Sequence, residues 1–137
     1  MIRLHSDDYL SMVAHARAGL PNEACGLLAG TENDGIRDVK KVYFLTNTDA
    51  SNEHFSIDPK EQLTAVRDMR ANGWRPLGNW HSHPESPSRP SQEDMRMAYD
   101  PTASYLILSL ESKNAPNLNA FRIRNGAYEW EILEIYD

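Results

Sequence analysis

Apolar and polar residues alternate with different periods along the chain, and each change of period marks a predicted element. From Asp7 to about Ala18, Tyr9, Leu10, Val13, Ala14 and Ala16 recur at helical spacing. Ser6 stands where a cap would, and Gly19-Leu20-Pro21 stops the run. Ala24 to Gly30 is a short apolar run between turn residues and predicts a buried strand. Val39 to Leu45 continues in β-favouring residues, and His54 to Ile57 predicts a short strand after the polar loop Thr46–Glu53. Asp58-Pro59 opens a second helix to about Ala71, with Leu63, Val66 and Met69 or Arg70 on one face and Asn72-Gly73 closing it. Arg75 to His83 reads as a strand leading into a turn that holds Pro84, Pro87 and Pro90. A third helix is expected from Gln92 to Tyr99, stopped by Asp100-Pro101. Ser104–Leu110, Leu118–Arg124 and Tyr128–Ile135 read as strands, the last two joined by an Asn125-Gly126 turn. Strands interleave with helices, so the pattern predicts the α/β class, a mixed sheet with helices packed on it.

Composition narrows the picture. A chain of 137 residues, 40% hydrophobic and 25% charged, suits one soluble domain over 1–137 that buries a core without disulfides. No run approaches the ~18 apolar residues of a membrane span. Met1 to Asp8 lacks the apolar core of a signal peptide. Cys25 is the only cysteine, which excludes an intrachain disulfide and a multi-cysteine metal site; a reducing, cytoplasmic location is expected. A net charge of −6 argues against non-specific nucleic-acid binding, and no membrane partner is expected.

The chemistry concentrates between residues 81 and 94, H-S-H-P-E-S-P-S-R-P-S-Q-E-D. On a strand, side chains at i and i+2 share a face, so His81 and His83 project together and can share one metal ion. Asp94 falls in the first turn of the next helix, where the turn can return it to the histidines, and the prolines restrict that turn. Two imidazoles and a carboxylate suit zinc and leave a fourth position for water, the mark of a catalytic site. A plain reading exists for each fragment: His-x-His on a polar strand face, and Ser91-x-x-Asp94 as a helix capping box. Together, however, these residues at these offsets arise by chance in roughly one in 100,000 chains of this size. Capping by Ser91 and metal binding by Asp94 are compatible. Glu85 and Glu93 flank the ligands as alternatives to Asp94. Asn79 shares the histidines' face, while Trp80 takes the opposite face and belongs to the core. His5, His15 and His54 lack ligand spacing and read as surface or loop residues. Cys25, close to Glu23, is a rival nucleophile, but an isolated cysteine is usually a buried small hydrophobe and packing is its expected role.

His81-x-His83, seven residues, then Ser91-x-x-Asp94 resembles the JAMM motif of the MPN-plus metallopeptidases, in their small stand-alone prokaryotic form. The segment Pro21-Asn22-Glu23-Ala24-Cys25-Gly26 resembles the part of that family carrying its catalytic glutamate. The resemblance implies an α/β/α fold around a curved mixed sheet, similar to cytidine deaminases. It also implies a zinc site of His81, His83 and Asp94, with Glu23 as the proton-transfer residue and Ser91 as an oxyanion donor. The implied activity is hydrolysis of an amide bond after the C-terminal glycine of a ubiquitin-like or sulfur-carrier protein, including removal of a C-terminal cysteine. Only six residues separate Pro84 from Ser91, which leaves no room for the insertions with which some relatives grip polyubiquitin. The competing class is a non-catalytic zinc-containing scaffold or protein-binding module. A nucleoside-type deaminase expects a Pro-Cys-x-x-Cys ligand pair, and a serine hydrolase a G-x-S-x-G elbow; neither is present.

Overall fold

A computed structural model describes residues 1–137. The chain runs β1 (Ile2–His5), α1 (Ser6–Ala18), β2 (Cys25–Asn33), β3 (Ile36–Leu45), α2 (Pro59–Ala71), β4 (Arg75–His83), α3 (Gln92–Arg96), β5 (Ser104–Ser109), β6 (Asn117–Arg124), β7 (Ala127–Glu131) and β8 (Leu133–Tyr136). The eight strands form one mixed sheet in the order β7-β6-β5-β4-β2-β3-β1-β8. An open sheet of that width would separate its edge strands by about 33 Å. Here the edge strands β7 and β8 are joined by Ile132 alone, and Ile2 N donates to Ile132 O at 2.9 Å. The sheet is therefore rolled until its two edges meet.

Helices cover both faces, as the α/β/α fold implied by the resemblance requires. Met12, Val13 and Ala16 of α1 pack with Leu4, Leu28, Trp80, Leu106 and Leu108 in the larger core. Ala65 and Met69 of α2 pack on Ala29 and Tyr43. Met95 of α3 and Ala98 just after it lean on Tyr105, Ile107 and Phe121. The alternation along β5 is a direct result of its pleat: Leu106 and Leu108 serve one face, Tyr105 and Ile107 the other. No helix is long and apolar enough to cross a membrane.

Several expectations are corrected. The α1 cap is His5, whose Nδ1 accepts from Asp7 N at 3.0 Å; Ser6 is already helical because β1, which the pattern did not predict, runs straight into the helix. Leu10 and Ala14 face outward and Met12 inward, so the buried stripe is rotated. On α2, Leu63 is exposed and Ala65 with Met69 carries the contact. His54–Ile57 is a loop holding one bridge, Asn47 to Ile57. The third helix ends at Arg96 rather than Tyr99. Tyr128–Ile135 splits at Ile132 because its halves pair with opposite sheet edges, β7 with β6 and β8 with β1. The β2–β3 hairpin is longer than expected, its turn made by Asp34 and Gly35 with positive φ at both.

Candidate metal centre

Strand β4 lies between β2 and β5, and its side chains at 81 and 83 emerge together, on the face away from α1. Trp80, on the other face, is fully buried in the α1 core and donates from Nε1 to Tyr43 O at 3.1 Å. Ser82 also turns away from the histidines. Its Oγ accepts from Ala24 N at 2.8 Å while Ser82 N donates to Ala24 O at 2.9 Å, which clamps the start of β2 to the ligand-bearing strand.

Asp94 is brought to the histidines by the cap of α3. Ser91 Oγ accepts from Asp94 N at 3.0 Å, and Ser91 N donates to Asp94 Oδ2 at 2.9 Å, a complete capping box. The same Oδ2 lies 3.0 Å from His83 Nε2 and 3.2 Å from His81 Nε2, and the two Nε2 atoms are 3.1 Å apart. Three donor atoms thus form a nearly equilateral triangle. Tetrahedral bonds of ~2.0–2.1 Å separate neighbouring ligands by about 3.4 Å, so the triangle fits a small divalent ion with little adjustment. The donor set of two imidazoles and one carboxylate suits zinc chemistry. Glu85 and Glu93 stand outside this group.

His83 is held from behind, whereas the buried Nδ1 of His81 has no hydrogen-bond partner. A carbonyl oxygen can only accept, so the 2.8 Å contact between His83 Nδ1 and Pro87 O puts the proton on Nδ1 and leaves Nε2 free to bind metal. The proline turn thereby selects the tautomer as well as shaping the loop. His81 is flanked by Phe55, stacked at 4.8 Å between ring centroids. Burial would raise the Asp94 pKa, but hydrogen bonds and charge from His81, with His83 and the Ser91 N–H, hold it below the usual carboxylate range. Burial would lower the His83 pKa, yet Asp94 and the Pro87 carbonyl raise it on balance.

Glu23 is 4% exposed, two residues before the start of β2, and its Oε1 has no hydrogen-bond partner. Burial pushes its pKa up to about 8; His83 opposes the shift, and Asp94, Glu93 and Glu53 add to it. With His83 and Ser91 it lines a cavity of about 320 Å³ whose other walls are Asn52, Glu53, Glu85 and Ser86. Asn79, as expected, lies on the ligand side, in a neighbouring hollow with Phe55, His81, Asp94 and Met97. Cys25 is fully buried, directs Sγ at Leu45 O, and has its thiol pKa pushed up to about 12, first by burial, which fits packing rather than nucleophilic attack. His54 sits on the surface beside Asp49.

Two contributors escaped the sequence reading. Asn47 uses its whole side-chain amide: Nδ2 donates to Glu23 O and His54 O, both at 3.1 Å, and Oδ1 accepts from Asp49 N and Ser56 N. Glu23 N in turn donates to Ser51 O at 2.7 Å, so the backbone of the glutamate is held on both sides by one loop. Phe55 is the second; nothing in the periodicity of a polar loop marks an aromatic residue as a wall of the site.

Comparison with known proteins gives the same assignment. A family model described as prokaryotic homologs of the JAB domain matches residues 5–124. The chain belongs to this family. The JAMM/MPN resemblance of the motif is thereby borne out, as is the α/β fold it implied. Among JAB relatives, the chain is 33% identical over 134 residues to the CysO-cysteine peptidase of Mycobacterium tuberculosis, covering 98% of this chain and 90% of that protein. It is 32% identical to the desampylase of Haloferax volcanii, over 82% of this chain and 83% of that one. The solution structure of protein DSY2949 from Desulfitobacterium hafniense superposes with a TM-score of 0.89 at 53% identity, covering 98% of this chain and 94% of that chain.

Proposed function

We propose that the chain is a zinc-dependent peptidase or isopeptidase that hydrolyses an amide bond after the C-terminal glycine of a ubiquitin-like or sulfur-carrier protein. Its action would lie in the cytoplasm, through one domain spanning 1–137. The observation that carries the reading is the triangle of His81 Nε2, His83 Nε2 and Asp94 Oδ2 at the edge of a cavity lined by the buried Glu23. The substrate class is supported by relatives named for cleaving such conjugates, a CysO-cysteine peptidase and a desampylase.

His81, His83 and Asp94 would hold the zinc. When bound, the ion supplies Lewis acidity and hydroxide near neutral pH. Glu23 takes a proton from the attacking water and passes it to the departing amine, so that the C–N bond breaks, the acyl carbon keeps the water oxygen, and the amine leaves neutral. Glu23 accepts that proton in its ionised form, which a dication held by the neighbouring ligands would favour. Ser91 Oγ accepts from Asp94 N, which leaves its hydroxyl hydrogen for the oxyanion.

The test is to incubate the zinc-loaded protein with Gly-Gly-ended carriers of the ubiquitin fold bearing a C-terminal cysteine or a lysine isopeptide, and to follow release by mass spectrometry. Release that a chelator abolishes is expected, and Glu23→Gln should lose turnover while retaining zinc by elemental analysis. Chelator-insensitive release would overturn the zinc-dependent reading, and no release from any conjugate would overturn the hydrolase reading and favour a scaffold.

A further inference from the structure

The leaving amine receives its proton from Glu23, so the leaving group must occupy the cavity that Glu23 lines. That cavity has an unusual charge. Its walls include Glu23, Glu53 and Glu85, with Asn52, Ser86 and Ser91, and they contain no lysine or arginine. Glu53 also acts electrostatically on Glu23, helping to raise its pKa. Glu53 and Glu85 are exposed at the rim and form no ion pair. Glu23, by contrast, is 96% buried (4% exposed), lines the same cavity and has a carboxylate oxygen with no hydrogen-bond partner. With the charge of a bound dication offset by Asp94 and Glu23, Glu53 and Glu85 leave this cavity negative, which favours a cationic or neutral guest and repels an anionic one.

The two chemistries open to this enzyme differ in that respect. Cleaving off a single C-terminal amino acid places a free α-carboxylate directly beyond the scissile bond, in the leaving-group cavity. Cleaving an isopeptide to lysine places an uncharged methylene chain there instead, and cleaving a longer peptide extension places a neutral amide. We propose that the acidic wall of Glu53 and Glu85 is a specificity filter on the leaving-group side, which selects lysine-linked or internally amidated conjugates over a lone C-terminal residue. The inference rests on the hydrolase reading above and narrows its substrate class. The group recognised is defined by charge: an acceptor with no carboxylate next to the cleaved bond, and preferably with basic residues nearby.

Three conjugates of one Gly-Gly-ended ubiquitin-fold carrier test it: a single added alanine ending in a free carboxylate, the same alanine ending in a carboxamide, and an isopeptide to the ε-amine of a lysine peptide. Alanine avoids any thiol that could chelate the metal. The carboxamide and the isopeptide are expected to be cleaved with kcat/KM about tenfold above the free acid, and the ratio to shrink in high salt. In the double variant Glu53→Gln/Glu85→Gln the free acid should be cleaved faster than by the wild type, bringing the ratio towards one. A gain of rate on one substrate cannot come from misfolding. Equal rates on the free acid and the carboxamide in the wild type, or a ratio unmoved by the double variant, would overturn the filter and leave the hydrolase reading standing. No cleavage of any of the three would overturn both.

Discussion

Burial sets the Glu23 carboxyl against its own charge. Its folded pKa of about 8 lies well above the ordinary 4.5, so in the metal-free protein the folded state keeps a proton that the unfolded chain loses. Stability contributed this way is complete below the unfolded pKa and drains away as pH rises through the folded one. We therefore expect chelated wild-type protein to lose stability relative to Glu23→Gln between pH 5 and pH 8, by an upper bound on the order of 3–5 kcal/mol. Urea unfolding of both proteins at the two pH values measures it; parallel pH profiles would contradict the burial argument. Asp94 has the opposite character, since one oxygen serves His81, His83 and the Ser91 N–H. Asp94→Ala should abolish zinc retention, read by elemental analysis, and should weaken α3 by the ~1 kcal/mol of a lost capping contact. At this scale the ligands were legible because strand geometry alone puts His81 beside His83, and the Ser91 cap fixes where Asp94 points. The link from Glu23 to the ligands was not. It depends on β2 pairing with β4 in the register Cys25 to His81, which no local pattern encodes.

Among the elements, the loop between β3 and α2 does more than connect. Asn47 fills both acceptor and both donor positions of its amide within that loop and on Glu23 O. Asn47→Asp would set a carboxylate against two carbonyl oxygens that now receive hydrogen bonds. It should lower stability by about 1–3 kcal/mol and reduce kcat more than it alters KM, while zinc content stays near one per chain. Retained kcat would show that Glu23 is positioned without it. Gly26 is the second sensitive point. A Cβ there would overlap the Tyr43 carbonyl oxygen and the Trp80 indole nitrogen, where β2 passes between them. Gly26→Ala should therefore cost about 1–3 kcal/mol, visible as a lowered Tm. Helix α2 could be read from Asp58-Pro59 and Asn72-Gly73, which bound it. The segment 54–57 could not, because Phe55 and Ile57 alternate as a strand would but serve as a wall of the site and a single bridge.

For the whole molecule, mixed α/β architecture followed from the order of elements, but the closure of the sheet did not. Tyr128–Ile135 has one continuous β pattern, and only tertiary pairing reveals that its halves belong to opposite edges. Removing residues 133–137 should bare the β1 edge, lower the Tm and promote self-association, measurable by light scattering. The pairing of Ile2 with Leu133 also has a temporal meaning. During synthesis from the N-terminus, β1 must wait for almost the entire chain to emerge before its second neighbour exists. The strand made first is thus the last to be completed, and a ribosome stalled before residue 133 would display it to any chaperone within reach.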